Sequence, residues 1–419
     1  MIGIVGAGIT GLALSHYLDQ AGAEHVVLEA SSRSGGVIRS SRVEGRVLDH
    51  GPQRTRVTPA ISRLLDTLDL TPRVVEVPPD HPLYVYRKGR LRRVPFTPAD
   101  LVRTDLLTWR GKLRMCAEPA TGGWREGETV GRFLTRKFGR EAYEALMGPL
   151  FGGLYGSDPG EMYVRHSLAP VLEGLGVSRS VLWRFIQGRF NRAATPAAVS
   201  FDEGMEVLTE ALHESLEDRV RLDTPVREIA PGAGGTGWRL TLEDEVLEVE
   251  AVVLTPPSSV AGALLRKVAP PAASRLERLR YNDLVMVHLA GESELHGLGY
   301  QVGYGEALRT RGVTWNASAL GRDGVFTAFL GGSRDPEILE MADDEIGRIA
   351  VQEFQGVTGV ETRVLKVGRT CIPSWDRSWT ALEGMVLPPG IHLCSNYESR
   401  VGIPGRVARA AQLAGELAG

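Results

Sequence analysis

The first apolar run of the chain, Ile2 to Val5, is only four residues long. A short unbroken run of this kind predicts a strand buried on both faces of a parallel sheet. The period then changes. Leu12, Ala13, Leu14, Tyr17, Leu18 and Ala21 recur at helical spacing, and Gly22 closes the helix. Val26-Val27-Leu28 forms a second strand that ends at Glu29. Strand, helix and strand make one right-handed unit of an α/β sheet.

Further along, ISRLLDTLDL predicts a helix and LYVYRKGRLRRV short strands, filling residues 57 to 96. Residues 97 to 195 read as mainly helical, through PADLVRTDLLTWRGKLRMC, TVGRFLTRKFGREAYEALMGPLFGGLYG and SVLWRFIQGRF. From 196 the character changes: SFDEGMEVLTEALHESL is an amphipathic helix and VRLDTPVREIAP a strand. WRLTLEDEVLEVEAVVLTPP then reads as a hairpin with a fully apolar last strand. LVMVHLA and GVFTAFLGG supply strands of another sheet, and the chain ends as strand, glycine-containing turn and helix in IHLCSNYESRVGIPGRVARAAQLAGELAG. A mixed α/β chain of several interleaved domains is predicted, with pattern changes near 57, 97, 196 and 266.

Between the first strand and helix lies Gly6-Ala7-Gly8-Ile9-Thr10-Gly11, with GxGxxG spacing. The spacing alone is weak, because 50 glycines in 419 residues produce it by chance roughly once. Indeed Gly232 to Gly237 matches it too, but between two predicted strands and with no helix after it, so that copy reads as a hairpin loop. The first copy has the context a dinucleotide needs. Gly6 permits the tight turn, Gly8 lets the backbone approach a pyrophosphate, and Gly11 lets helix and strand pack closely. The helix N-terminus then faces the phosphates. Glu29, 18 residues after Gly11, is placed to accept hydrogen bonds from a ribose, and its charge disfavours the 2′-phosphate of NADP.

Composition narrows the class. A 43% hydrophobic and 24% charged chain is that of a globular protein with a large core. The net charge of −3 gives no general attraction to nucleic acid or anionic membrane. Cys116, Cys371 and Cys394 are odd in number and far apart, which suits buried thiols in a reducing compartment rather than disulfides or a metal site. No apolar run approaches the ~20 residues of a membrane span, and the first strand begins at residue 2, so a cytoplasmic location is expected. Residues 97 to 118 carry an amphipathic pattern suited to a peripheral membrane contact. The nine histidines are scattered, and neither a metal-ligand pattern nor a Ser/His/Asp set stands out.

Glu29, then Arg33-Ser34-Gly35-Gly36, then Asp49-His50-Gly51-Pro52 resemble the flavin-dependent oxidases of the amine oxidase type. Within that group, residues 129–162, the SFDEGMEVLTEAL helix and SNYESRVGIPGRVARA (395–410) resemble the porphyrinogen oxidases of haem biosynthesis. The segments cover nearly the whole chain in the same order. The resemblance implies noncovalent FAD and a Rossmann-like FAD-binding domain built from residues 1–56, 196–265 and 366–419. A mixed-sheet substrate domain (57–96 and 266–365) and a helical domain (97–195) would be inserted between those parts.

Carried over by motif, Gly6, Gly8 and Gly11 would meet the pyrophosphate and Glu29 the adenosine ribose. Arg33 and Gly36 would line the ribityl and phosphate region, with Gly51-Pro52 beside the isoalloxazine. Val226, in the strand VREI, would meet adenine through its backbone, and Val401-Gly402-Ile403 would start a helix near the ring. On the substrate side, Gly153 would lie near the reacting carbon. Leu298, Gln301, Arg311 and Thr314 fall on positions usually apolar where protoporphyrinogen is the substrate. Arg311 would pair with a propionate and so favour coproporphyrinogen III. His81 stands where mitochondrial-type relatives carry a propionate-binding arginine.

The expected reaction is removal of six electrons from a porphyrinogen in three steps, with O2 as acceptor and H2O2 as product. No side-chain acid or base is nominated, because the flavin supplies the chemistry. Protoporphyrinogen IX and coproporphyrinogen III both stay open as the substrate, and monomer and homodimer as the state. So do two other readings: another flavoenzyme of the superfamily, such as an amine oxidase or carotenoid desaturase, and a non-catalytic FAD- or porphyrin-binding relative.

Overall fold

The computed structural model describes residues 1–174, 176–177, 179–186, 196–399 and 402–419. Its first layer is a five-stranded, all-parallel sheet in the order Val220–Arg221, His25–Leu28, Ile2–Val5, Ala251–Leu254 and Ile391–Leu393. Three distant stretches of sequence therefore meet in one sheet. The apolar runs read as strands are these strands, and they are almost wholly buried. Helix Ile9–Gln20 follows the first strand and packs along the C-terminal helix Ile403–Ala418.

Two expectations change here, and a third, the hairpin loop at Gly232 to Gly237, holds. Helix Pro59–Thr67 shares the core of this first layer through Ala60, Ile61, Leu64 and Leu65, so the layer extends past residue 56. The stretch 238–257 is not a single hairpin. Trp238–Thr241 and Val246–Val249 form one, within a three-stranded antiparallel sheet, whereas apolar Ala251–Leu254 leaves it to join the parallel sheet. The glycine-rich Gly232 to Gly237 is the loop of a hairpin, between Glu228–Pro231 and Trp238–Thr241.

The second large sheet has seven strands. Its order is Arg363–Pro373, Tyr281–Ala290, Val325–Gly331, Gly312–Thr314, Gly299–Val302, Leu83–Arg87 and Arg90–Arg93. Strand alternation gives it two unlike faces. Val285, Val287, Tyr300, Val313, Phe326 and Ala328 form a core with Ile346, Ala350 and Phe354 of helix Asp343–Thr358. The other face points away from that helix. One register row across it reads Val85, Gln301, Gly312, Phe329, Met286 and Gly368, and the next reads Leu83, Gly299, Thr314, Thr327, His288 and Lys366.

The mostly helical stretch runs from Pro98 to Ile186 in the described residues. It is broken at Gly139, then passes through a π-turn at Tyr143–Met147 into helix Gly148–Tyr155, which ends on left-handed Gly156. Val102, Trp109 and Leu113 of this stretch are exposed, and Lys112 Nζ sits 4.6 Å from the Trp109 ring centre. No described helix is long and apolar enough to cross a membrane.

Candidate active site

The glycine turn is built by close contact. A Cβ on Gly11 would stand 2.0 Å from the Gly6 carbonyl oxygen, and one on Gly6 2.7 Å from Thr255 Oγ1. Gly8 is the opposite case, since a Cβ there would meet nothing within 4 Å. Strand and helix thus close on Gly6 and Gly11, and Gly8 faces open space, which is the shape a pyrophosphate needs. Glu29 closes one side of that space. Its Oε2 accepts from the Ala7 amide at 2.7 Å, and its Oε1 from the Ser31 amide and hydroxyl at 3.0 and 2.7 Å. The carboxylate is thereby fixed over the turn with lone pairs left for a ribose.

Gly36 adjoins Gly8, with only 3.3 Å between the site of its Cβ and the Gly8 Cα, and Gly8 bridges to Gly35. Arg33 folds back over this loop, donating to the Ser34 and Gly36 carbonyls, and lies 3.7 Å from the Glu206 carboxylate. Gly51, ahead of Pro52, passes so close to Val37 that a Cβ would lie 2.2 Å from its carbonyl oxygen. Gly402, at φ +90°, starts helix Ile403–Ala418, and Ile403 is buried. Val401 lies outside the described residues.

Val226 requires a correction: it is not in a strand. Asp223 takes φ +49° and Pro225 has no amide to donate, so the strand begins only at Glu228. The segment nonetheless runs beside Glu29, because the Thr224 and Asp223 amides donate to the Glu29 and Ser31 carbonyls at 2.7 and 3.0 Å.

The substrate-side residues separate into groups. Gly153, inside helix Gly148–Tyr155, meets Gln301, and a Cβ on Gly153 would lie 2.1 Å from Gln301 Oε1. Gly312 borders the same amide, since a Cβ on it would lie 2.7 and 2.8 Å from Gln301 Oε1 and Nε2. Thr314 shares this face one row away. Leu298 instead joins a small cluster with Val77, Ala319 and Leu320. His81 is buried against His296, with ring centres 4.2 Å apart.

Arg311 is not where the propionate reading needs it. It shares the face of Val313, the side covered by helix Asp343–Thr358, whereas Gly312 and Thr314 share the face of Gln301. Its guanidinium lies 3.8 Å from Asp335, and burial together with nearby Arg334 holds its pKa below the usual arginine value. The two-residue period of a strand puts Arg311 on the side opposite Gln301 and Gly153.

Several groups on the inner face carry no local signal in sequence. His288 is wholly buried, with Nδ1 3.2 Å from Thr327 Oγ1, which also accepts from Gln53 and donates to Asn316. His50 stands edge-on to His288, ring centres 5.4 Å apart. Burial, with Lys366 adding to it, pushes His50 down to about 4 and His288 to about 3, so both are neutral imidazoles near pH 7. Asp49, just before His50, forms a buried ion pair with Arg322. Only a fold could reveal these partners, since 273 residues separate the last two.

Two of the three cysteines, Cys116 and Cys371, are exposed rather than buried, and all three are free. The Cys394 thiol is pushed up to about 12 by burial, so it stays protonated. Among the described residues no cluster of His, Cys, Asp and Glu could hold a metal ion.

Residues 9–402 match the model of the flavin containing amine oxidoreductases. The chain belongs to that family. It is an FAD-dependent oxidase, and the open space at Gly8, the Glu29 carboxylate over Ala7 and the helix start at Gly402 are of the kind FAD would need. A chloroplastic protoporphyrinogen oxidase of Nicotiana tabacum is 25% identical over 99% of this chain and 85% of its own length. The coproporphyrinogen III oxidase of Bacillus subtilis is 23% identical over 90% and 86%. A crystal structure from Exiguobacterium sp. 255-15 superimposes with a TM-score of 0.78, covering 100% of this chain and 98% of that one at 24% identity. That structural likeness shows the fold.

Proposed function

We propose that the enzyme is a porphyrinogen oxidase, taking six electrons from the macrocycle in three two-electron steps and delivering them to three O2 as three H2O2. The observation that carries this reading is the meeting of Gly153 with Gln301, where a helix without a side chain faces a polar amide on an otherwise largely apolar row. The bound flavin supplies the two-electron acceptor and its reoxidation by O2. The chain supplies position. Gln301, confined by Gly153 and Gly312, offers an amide oxygen to pyrrole N–H groups, and the apolar Val85, Phe329 and Met286 along the row exclude water. The nearby imidazoles of His50 and His288 are too weakly basic to hold a proton, so protons released at pyrrole nitrogen leave to solvent. The relatives support the class of substrate without choosing within it, being named for both porphyrinogens at similar identity.

Gly153→Ala therefore has a specific expected effect: kcat/KM for porphyrinogen falls about tenfold or more as the Gln301 amide is displaced. Gln301→Ser alone should lower kcat/KM by a similar factor, and adding it to Gly153→Ala should cost little more, because both changes remove the same amide contact. An unchanged kcat/KM in either single variant would remove this pair from the site.

The direct test is porphyrin fluorescence, with protoporphyrinogen IX and coproporphyrinogen III offered in parallel to the flavin-loaded enzyme in air. Porphyrin formation well above autoxidation is expected from at least one, and the faster names the substrate. If neither exceeds autoxidation while an amine or a carotenoid precursor bleaches the flavin anaerobically, the porphyrin reading is wrong and the other branch of the family is right.

A further inference from the structure

A second cavity shares no lining residue with the glycine turn or the Gln301 face. It has a volume of about 640 Å³, within the size range of small-molecule sites. It opens where the helical stretch at Thr129 and Gly160–Tyr163 meets the lead into strand Tyr281–Ala290 and the turn after strand Arg363–Pro373. Three arginines line it, Arg278, Arg280 and Arg377, together with the hydroxyl-bearing Tyr163 and Thr380.

The state of those arginines sets this cavity apart from the surface around it. The basic groups nearby are engaged: Arg266 with Glu277, Lys267 with Glu228, Arg165 with Glu126 and Glu383, and Arg275 with the Ala381 and Glu383 carbonyls. Among the described residues, none of the three cavity guanidiniums has a carboxylate or carbonyl partner. Two acids also line the cavity. Asp376 is buried, and one of its carboxylate oxygens accepts from the Ser378 amide and hydroxyl at 2.8 and 2.6 Å. Glu161 is exposed. The balance within the cavity remains one positive charge in excess.

The backbone beneath two of the arginines is held firmly. Ser378 Oγ accepts from the Arg280 amide at 3.0 Å while donating to Asp376, and the Ser374 amide and hydroxyl donate to the Arg280 carbonyl at 3.1 and 2.9 Å. Arg280 and Arg377 thus extend from two segments stitched to each other, so their backbones are held near one another before anything binds. A guanidinium offers paired donors that match a carboxylate or phosphate. We infer that this cavity binds a small molecule carrying at least two anionic groups, carboxylate or phosphate, at Arg278, Arg280 and Arg377. The inference does not rest on the identity of the oxidised substrate.

The test is calorimetric titration of the flavin-loaded enzyme, whose glycine turn is then filled, with inorganic pyrophosphate and separately with citrate. Saturable binding is expected, weakened about tenfold or more by Arg278→Gln/Arg377→Gln and unchanged by Arg348→Gln, an exposed arginine on another helix. Binding of pyrophosphate alone assigns a phosphate ligand, and of citrate alone a carboxylate one. Because the three side chains are exposed, the variants should fold, and the single Arg280→Gln change provides a second check. No saturable heat with either anion, or equal affinity in wild type and the double variant, overturns the proposal.

Discussion

Gly11→Ala will give a colourless protein. The added methyl would sit 2.0 Å from the Gly6 carbonyl oxygen and 3.2 Å from both the Gly6 carbonyl carbon and Thr255 Oγ1. The nearest obstacle is backbone, which cannot rotate away as a side chain does, so helix Ile9–Gln20 must lift from the first strand. Displacing it disturbs its packing along the C-terminal helix as well. Overpacking of this kind costs about 1–3 kcal/mol or more, so flavin absorbance and the thermal midpoint should fall together. Gly8→Ala separates the two readouts. Its methyl meets no protein atom within 4 Å, so the chain should fold normally yet lose flavin, because the methyl enters the space meant for the pyrophosphate. Gly234→Ala, in the second glycine motif, should keep its colour, since that loop belongs to a surface hairpin. Absorbance at 450 nm relative to protein, read beside thermal unfolding for all three, decides the matter. A yellow Gly11→Ala protein of unchanged stability would disprove the packing account of the turn.

The turn from Gly6 to Gly11 shows why part of the fold is legible in sequence. Ile2–Val5, helix Ile9–Gln20 and His25–Leu28 follow one another within a single chiral unit, and each has a period that its neighbours do not share. Chemistry confined to such a unit, including Glu29 over Ala7, is local enough for the order of residues alone to reveal it. The interleaving is less local. That Ala251–Leu254 deserts its hairpin for the parallel sheet follows from its unbroken apolar character, but only once a sheet exists that needs a buried strand.

Arg311 marks where reading by residue type fails. Its chemistry suits a carboxylate, and a carboxylate is what it meets, but the carboxylate is Asp335 of the same chain. Arg311 lies on the face opposite Gln301, and a strand of three residues is too short to show its alternation in sequence. The substrate preference inferred from the Arg311 charge therefore falls away. Gln301, two strands from Phe329 and paired to Gly312, is the polar group that does face the helix carrying Gly153.

Arg322→Met should be among the most destabilising single changes in the chain. Arg322 lies between helix Asn316–Leu320 and strand Val325–Gly331, and one of its amino groups donates to Asp49 Oδ2 and the other to Ser200 Oγ. Asp49 Oδ1 in turn accepts from the Met205 amide at 2.8 Å and Ser40 Oγ at 2.7 Å. One ion pair thus joins the seven-stranded sheet to the strand that leads into Gly51-Pro52 and to the start of helix Glu206–Glu214. With 5% and 0% of the two side chains exposed, no water replaces a lost partner. Removing one member of such a pair costs about 3–5 kcal/mol, because the other charge stays buried. Asp49→Asn/Arg322→Met leaves no orphaned charge and should be more stable than Arg322→Met alone, the signature of coupling rather than of two independent losses. Because Gly51 and Pro52 lie only two and three residues beyond Asp49, flavin should also dissociate more readily from the single variant than from the double one. Denaturant midpoints and flavin release measured on wild type, Arg322→Met, Asp49→Asn and the double variant test this, and strictly additive losses would mean that the pair holds nothing together.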